Sequence, residues 1–179
     1  FRKWIQTNEP QWEQGWDRQN PRRKYGPRDR WWVLRSPIPS QEAWPIIWAY
    51  SSLLKIKQDR TRQEHVAAAV EALGDLKRRL ASPRCWLRKA SVVGVKIDEI
   101  LDRFDVRRYI KVRRTIRKQH RFVQKRRGRP GPQSDYRRVS RRRWDVEWET
   151  HEAAISYDRK SDGMYPLLTN DRNLTPAQV

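Results

Sequence analysis

The sequence predicts an α+β fold, a helical hairpin plus antiparallel β-hairpins, and three observations carry that expectation. Val66, Ala69, Leu73, Leu76 and Leu80 recur at intervals of three and four, the period of one helical face. Ile46-Ile47-Trp48-Ala49-Tyr50 is a short β-branched and aromatic run, the composition of a strand. Further along, Trp144, Val146 and Trp148 alternate with Asp145, Glu147 and Glu149, the period of a strand with one apolar and one charged face.

The first 26 residues are ambiguous. Phe1, Trp4 and Ile5 fit the opening of a helix, but Pro10, Gly15, Pro21 and Pro27 interrupt anything long. Residues 20–30 read as a basic, proline-containing loop. A strand is expected over 30–35, ended by Pro37 and Pro39, and a second over 45–50. The two pair as a hairpin through residues 36–44, with a helix opening at Trp44-Pro45 as the competing reading. The clearest helix covers 52–81 and is stopped by Ser82-Pro83. A second covers about 87–104, with Val93, Ile97, Ile100, Leu101 and Phe104 on one side. The link is short, so the two helices fold back as an antiparallel pair. Fewer than three clean heptads are present, which favours packing within the chain over a dimeric coiled coil.

Residues 106–124 set strand formers such as Tyr109, Ile110, Val112 and Ile116 among arginines, and a break is expected near Lys118-Gln119-His120. A Gly/Pro loop at 126–135 leads to a return strand at 136–150. Residues 151–161 form a connector with one or two helical turns. Gly163 allows a tight turn, and 164–168 is an apolar strand. Thr169-Asn170-Asp171 leaves the sheet, and Thr175-Pro176 opens a helix with Thr at the N-cap and Pro in the first turn. With a first residue other than Met and a closing helix that has no body, the chain reads as an internal fragment of a longer protein.

The formal net charge is +20 and it is concentrated. Residues 103–143 hold 18 Lys/Arg against Asp105 and Asp135. Such a block is an electrostatic footprint for a polyanion, most simply nucleic acid. A solvated basic tail is the bland alternative, disfavoured because aromatic and β-branched residues run through the block. The residues expected to contact DNA are Lys125, Arg126, Arg127, Arg129, Arg137, Arg138, Arg141, Arg142 and Arg143. Arg127-Gly128-Arg129-Pro130 looks like a minor-groove hook, and an ordinary basic loop is an equal reading. The flanking arginines suit phosphate contact better than base reading. Trp144 and Trp148 read as core, with stacking on unpaired bases as the alternative.

The search for catalytic groups is negative: no catalytic residue and no metal site is expected in this chain. His65, His120 and His151 lack metal-ligand spacing with one another or with Cys85. Cys85, the single cysteine, sits beside Trp86 at an expected helix start and reads as a buried structural thiol; no disulfide is possible within the chain, which points to a reducing compartment. Asp98, Glu99 and Asp102 read as a solvated helix face. Asp162 before Gly163 reads as turn chemistry rather than as a metal ligand. No phosphate-cradling glycine loop is present, and no apolar run approaches the ~18–20 residues that span a bilayer.

Arg127-Gly128-Arg129-Pro130-Gly131, then Asp162-Gly163-Met164-Tyr165-Pro166-Leu167-Leu168-Thr169-Asn170-Asp171, then Leu174-Thr175-Pro176-Ala177 resembles, in order, the region upstream of the catalytic glutamate in bacterial insertion-sequence transposases of the DDE class. The resemblance is specific over about 125–179 and looser before that. It implies an insertion segment within an RNase H-like transposase core. Residues 1–51 would then end the first core half and add a β-hairpin. Residues 52–104 would be the helical hairpin of the insertion, 105–151 its basic β-hairpin, and 152–179 the return strand with the start of the next helix. It further implies two-metal strand cleavage and transfer in the parent enzyme, with two Mg2+ ions held by carboxylates outside this chain. The fragment alone would be inactive. Transposon-end DNA would be the partner, a homodimer the synaptic state, and the bacterial cytoplasm and nucleoid the location, with no membrane association. A non-enzymatic basic module that binds RNA or ribosomes is the alternative, and a decayed, inactive remnant is a third.

Overall fold

The computed structural model describes Trp4, Asn8 and residues 10–19 and 26–178. The helix expected at the first residues and most of the 20–30 loop lie outside them. The described elements are β1 (Glu13–Arg18), β2 (Asp29–Arg35), β3 (Ile46–Ser51), α1 (Ser52–Ala81), α2 (Ala90–Arg103), β4 (Ile110–Gln124), β5 (Tyr136–Thr150), α3 (Glu152–Arg159) and β6 (Met164–Leu168), with a final 3-10 turn at Pro176–Gln178. Helices and antiparallel sheets together make an α+β chain, as the sequence patterns require. The chain divides into two compact units, residues 1–64 with 152–179, and residues 65–151.

The first unit is built on a four-stranded antiparallel sheet in the order β1-β2-β3-β6. Ile46 to Tyr50 is a strand rather than a helix opening, because its backbone pairs on both sides: Ala49 lies opposite Val33 on β2 and opposite Tyr165 on β6. Val33, Ile47 and Ala49 are buried. Pro166 is tolerated because β6 is an edge strand. Trp16 stacks on Trp31 with ring centroids 5.6 Å apart, and Tyr165 meets Trp31 edge-on at 5.6 Å. Burial holds the Tyr165 hydroxyl above its ordinary pKa, and the charge of Asp29 adds to this. Strand β1 was not expected. Glu-Gln-Gly-Trp-Asp-Arg has no alternation, and only pairing with β2 makes it a strand.

Strand β3 passes directly into α1. Ser51 is the N-cap: its hydroxyl accepts from the amide of Leu54 at 3.1 Å. Asp29 accepts from both serine hydroxyls, Ser51 and Ser52, and from the amide of Leu53. A carboxylate from a neighbouring strand thus supplies the acidic first turn that the helix itself lacks. The Asp162-Gly163 turn is held against α1. Gly163 has φ +79°, its amide donates to Gln58 at 2.7 Å, and its carbonyl accepts from Ser51 at 2.9 Å. A Cβ there would lie 2.6 Å from the Ser51 carbonyl oxygen, so only glycine fits. Asp162 is more than a turn residue: its carboxylate forms a buried ion pair with Arg62. Removing one member of such a pair costs about 3–5 kcal/mol.

The second unit packs the second half of α1 against α2. Ala69, Leu73, Leu76 and Leu80 meet Val93, Ile97 and Leu101, with Leu87 from the link. The leucine stripe is satisfied within the chain, as its short heptad run requires. Helix α2 starts at Ala90, three residues later than its apolar pattern, because Leu87 is buried from the link and not from a helical turn. Strand β4 likewise starts at Ile110 rather than 106. Asp105 is left-handed at φ 51°, the Val106 amide donates to the Leu101 carbonyl at 3.0 Å, and the Asp105 amide donates to Asp102 at 3.1 Å. That is a Schellman C-cap with Asp in the usual glycine position and an apolar Val106–Leu101 closure. The strand then runs unbroken to Gln124, without the break expected near Lys118, because every residue has a cross-strand partner on β5.

The connector is a two-turn helix, α3. The closing Thr175-Pro176 helix is only a 3-10 turn, in which the Thr175 amide donates to Gln178 Oε1 at 2.9 Å.

Candidate nucleic-acid interface

The long hairpin β4–β5 pairs 15 residues with 15, from Ile110↔Thr150 to Gln124↔Tyr136. Directly opposed residues point to the same side of a sheet, so the register assigns the two faces. Near the helices, Val112, Val146, Trp144 and Trp148 join the core. On the opposite face of that half, Lys111 opposes Glu149 and Arg113 opposes Glu147. Buried Asp145 pairs with Arg117 and lies 3.9 Å from Lys77. Residues 110–116 and 144–150 together carry three cations and three acids.

Beyond Ile116 and Trp144 the pattern changes. Residues 117–143 contain twelve Lys/Arg and one acid, Asp135, which pairs with Lys125 at 3.6 Å. Lys118 opposes Arg142, and Arg117 opposes Arg143. Arg126, Arg127, Arg129, Arg137, Arg138, Arg141 and Arg142 are exposed and form no ion pair among the described residues. Like charges facing each other across a ladder, as Lys118 and Arg142 do, are destabilising.

The nine expected contact residues fall on one arm. Lys125, Arg126, Arg127 and Arg129 lie in its end loop, where Gly128 has φ 131°. Arg137 and Arg141 share one face, and Arg138 and Arg142 the other. Arg143 is half-buried, and its guanidinium donates to the carbonyls of Ser82 and Pro83. Trp144 Nε1 donates to the Arg88 carbonyl at 2.8 Å, and Lys77 sits over the Trp148 ring. Both tryptophans therefore serve the core, as expected. Phe122 and Tyr136, 70% and 50% exposed, are the exposed aromatics of the arm, and both lie on the face that carries Arg138 and Arg142. Sequence reasoning missed them, because alternation assigns a residue to a face but not which stretch of that face other elements leave uncovered.

The expected solvated acids on α2 are exposed and locally paired. Arg107 bridges Asp98 and Asp102, and bonding to Asp102 and then Asp98 raises its pKa further. Cys85 is half-buried against the core and precedes a coil, not a helix start, while Trp86 is exposed. Among the described residues no three His, Cys, Asp or Glu side chains gather as a cation site. None of the described helices is long and apolar enough to cross a membrane. Comparison with models of protein families, with curated proteins and with solved structures finds no match.

Proposed function

We propose that this chain binds DNA through the β4–β5 arm, and that it is the insertion segment of a DDE transposase whose catalytic carboxylates and two divalent ions belong to other parts of the parent protein. The observation that carries the binding reading is the separation of charge along one hairpin: balanced over residues 110–116 and 144–150, +11 over residues 117–143. Eight residues of β4 beyond Ile116 reach about 27 Å at ~3.4 Å per residue, several phosphate spacings along a duplex. The ordered run from Arg127 through Asp162-Gly163 to Thr175-Pro176 supports the transposase assignment. In that reading the arm positions transposon-end DNA and neutralises phosphates, and the chain itself makes no chemical step.

Duplex binding measured by fluorescence anisotropy across a salt series tests the first part. Replacing Arg126, Arg127 and Arg129 by Gln is expected to weaken binding to all sequences alike and to flatten the log K against log salt slope by about 2–3, near 0.9 per lost phosphate contact. A slope unchanged by the triple substitution sinks the arm as the interface. Tighter binding to structured RNA than to duplex DNA at equal salt favours the RNA-binding module instead. The transposase part requires an Asp-bearing strand encoded upstream and a Tyr/Arg/Glu/Lys helix downstream, in one reading frame.

A further inference from the structure

Where the arm leaves the core, a cavity of about 260 Å3 opens between β5 and the link that joins the two helices. Arg88, Arg141, Arg142 and Arg143 line it, and its lining includes no carboxylate. Leu80 and Leu87 supply an apolar wall, and Cys85 faces the same space. Part of its wall is already held in place: Arg143 is tied to the carbonyls of Ser82 and Pro83, and the Trp144 indole to that of Arg88, so a ligand need not order these side chains.

The volume lies just below the ~300–1,000 Å3 of ordinary small-ligand sites, so it admits one compact group and not a duplex rail. Guanidinium groups favour phosphate, and a phosphate monoester at neutral pH carries about −1.5 to −2, more than the single charge of a backbone diester. The leucine wall favours a ligand with an apolar part beside its anion. The geometry points to a site for a phosphate monoester borne on a nucleoside, whether a free mononucleotide or the phosphorylated end of a nucleic-acid strand. In its strand-end form the inference rests on the DNA-binding reading above, with the arm holding the body of the strand and the cavity its terminal phosphate.

Cys85 is the chain's only cysteine, so its alkylation reports occupancy without mutation. The full chain is treated with iodoacetamide, a neutral reagent that does not compete for the arginines. AMP, adenosine, inorganic phosphate, and oligonucleotides with a 5′-phosphate or a 5′-hydroxyl are added in turn. AMP is expected to slow labelling at least fivefold, and adenosine and inorganic phosphate less than twofold. A 5′-phosphorylated oligonucleotide that protects as AMP does makes the strand end the ligand. Protection by AMP without it makes the free nucleotide the ligand.

Arg88 is exposed and lies outside the arm, so Arg88→Gln is expected to remove AMP protection while leaving 5′-hydroxyl duplex affinity unchanged. Equal protection by AMP and adenosine, or by AMP and inorganic phosphate, overturns the proposal, as does AMP protection that survives Arg88→Gln. If the 5′-hydroxyl duplex fails to bind while AMP protects, the arm reading falls and the cavity stands.

Discussion

The two halves of the β4–β5 hairpin share one ladder, yet they are built on opposite rules. In the half next to the helices, Lys111 and Arg113 face acids, Ile110 and Val146 are buried, and Trp144 and Trp148 pack against the core. In the half that carries the loop, cations face cations or neutral residues, and Phe122 is 70% exposed. Backbone pairing is equally complete in both. The difference lies in the side chains: the first half packs its apolar residues into the core, and the second carries an excess of positive charge that its one acid, Asp135, does not balance.

Mutations that should cost one half and spare the other break or sharpen this contrast. The largest effect is expected in the core. Ile110→Ala should destabilise the protein by about 2–5 kcal/mol in urea unfolding, whereas Phe122→Ala should stay within about 0.5 kcal/mol. Similar costs at both positions would mean that the outer half also packs. Next, Asp145→Ala should cost about 1.5–3 kcal/mol, the range for a hydrogen bond to a charged group. The figure stays below that of a fully buried pair because Arg117 and Lys77 remain in contact with water. Its effect on duplex affinity should be small.

Lys118→Glu should have opposite effects on the two properties. It sets a carboxylate across from Arg142, so stability should rise by about 0.2–1 kcal/mol while duplex binding weakens and its salt slope falls. If stability and binding move in the same direction, the outer charges are not there for a ligand. A stability effect of similar size, with no binding component, is expected at the entry to the hairpin. Asp105→Gly relieves a left-handed φ of 51° and should stabilise by about 1 kcal/mol with binding unchanged.

Much of this was legible in the residues themselves. The 3–4 spacing in 66–80 locates a helix, alternation from Trp144 to Trp148 locates a strand, and the concentration of arginine marks the arm. Each of these signals is local, because it arises from which faces a single element must bury. Other features were not legible for equally physical reasons. Asp162 read as a turn residue because its buried partner, Arg62, lies a hundred positions away. Strand β1 has no pattern of its own. Val106 looked like the start of a strand, whereas its amide closes a helix.

What the sequence determined by itself was the kind of each long element and where the positive charge is stored, since composition and periodicity need no partner to be read. Only the tertiary structure decided the register. Register sets which arginine faces an acid, which aromatic remains open, and which arginines of the hairpin come to line the cavity. It depends on pairings between distant segments, and their loop-closure and packing energies leave no mark on any single stretch of chain.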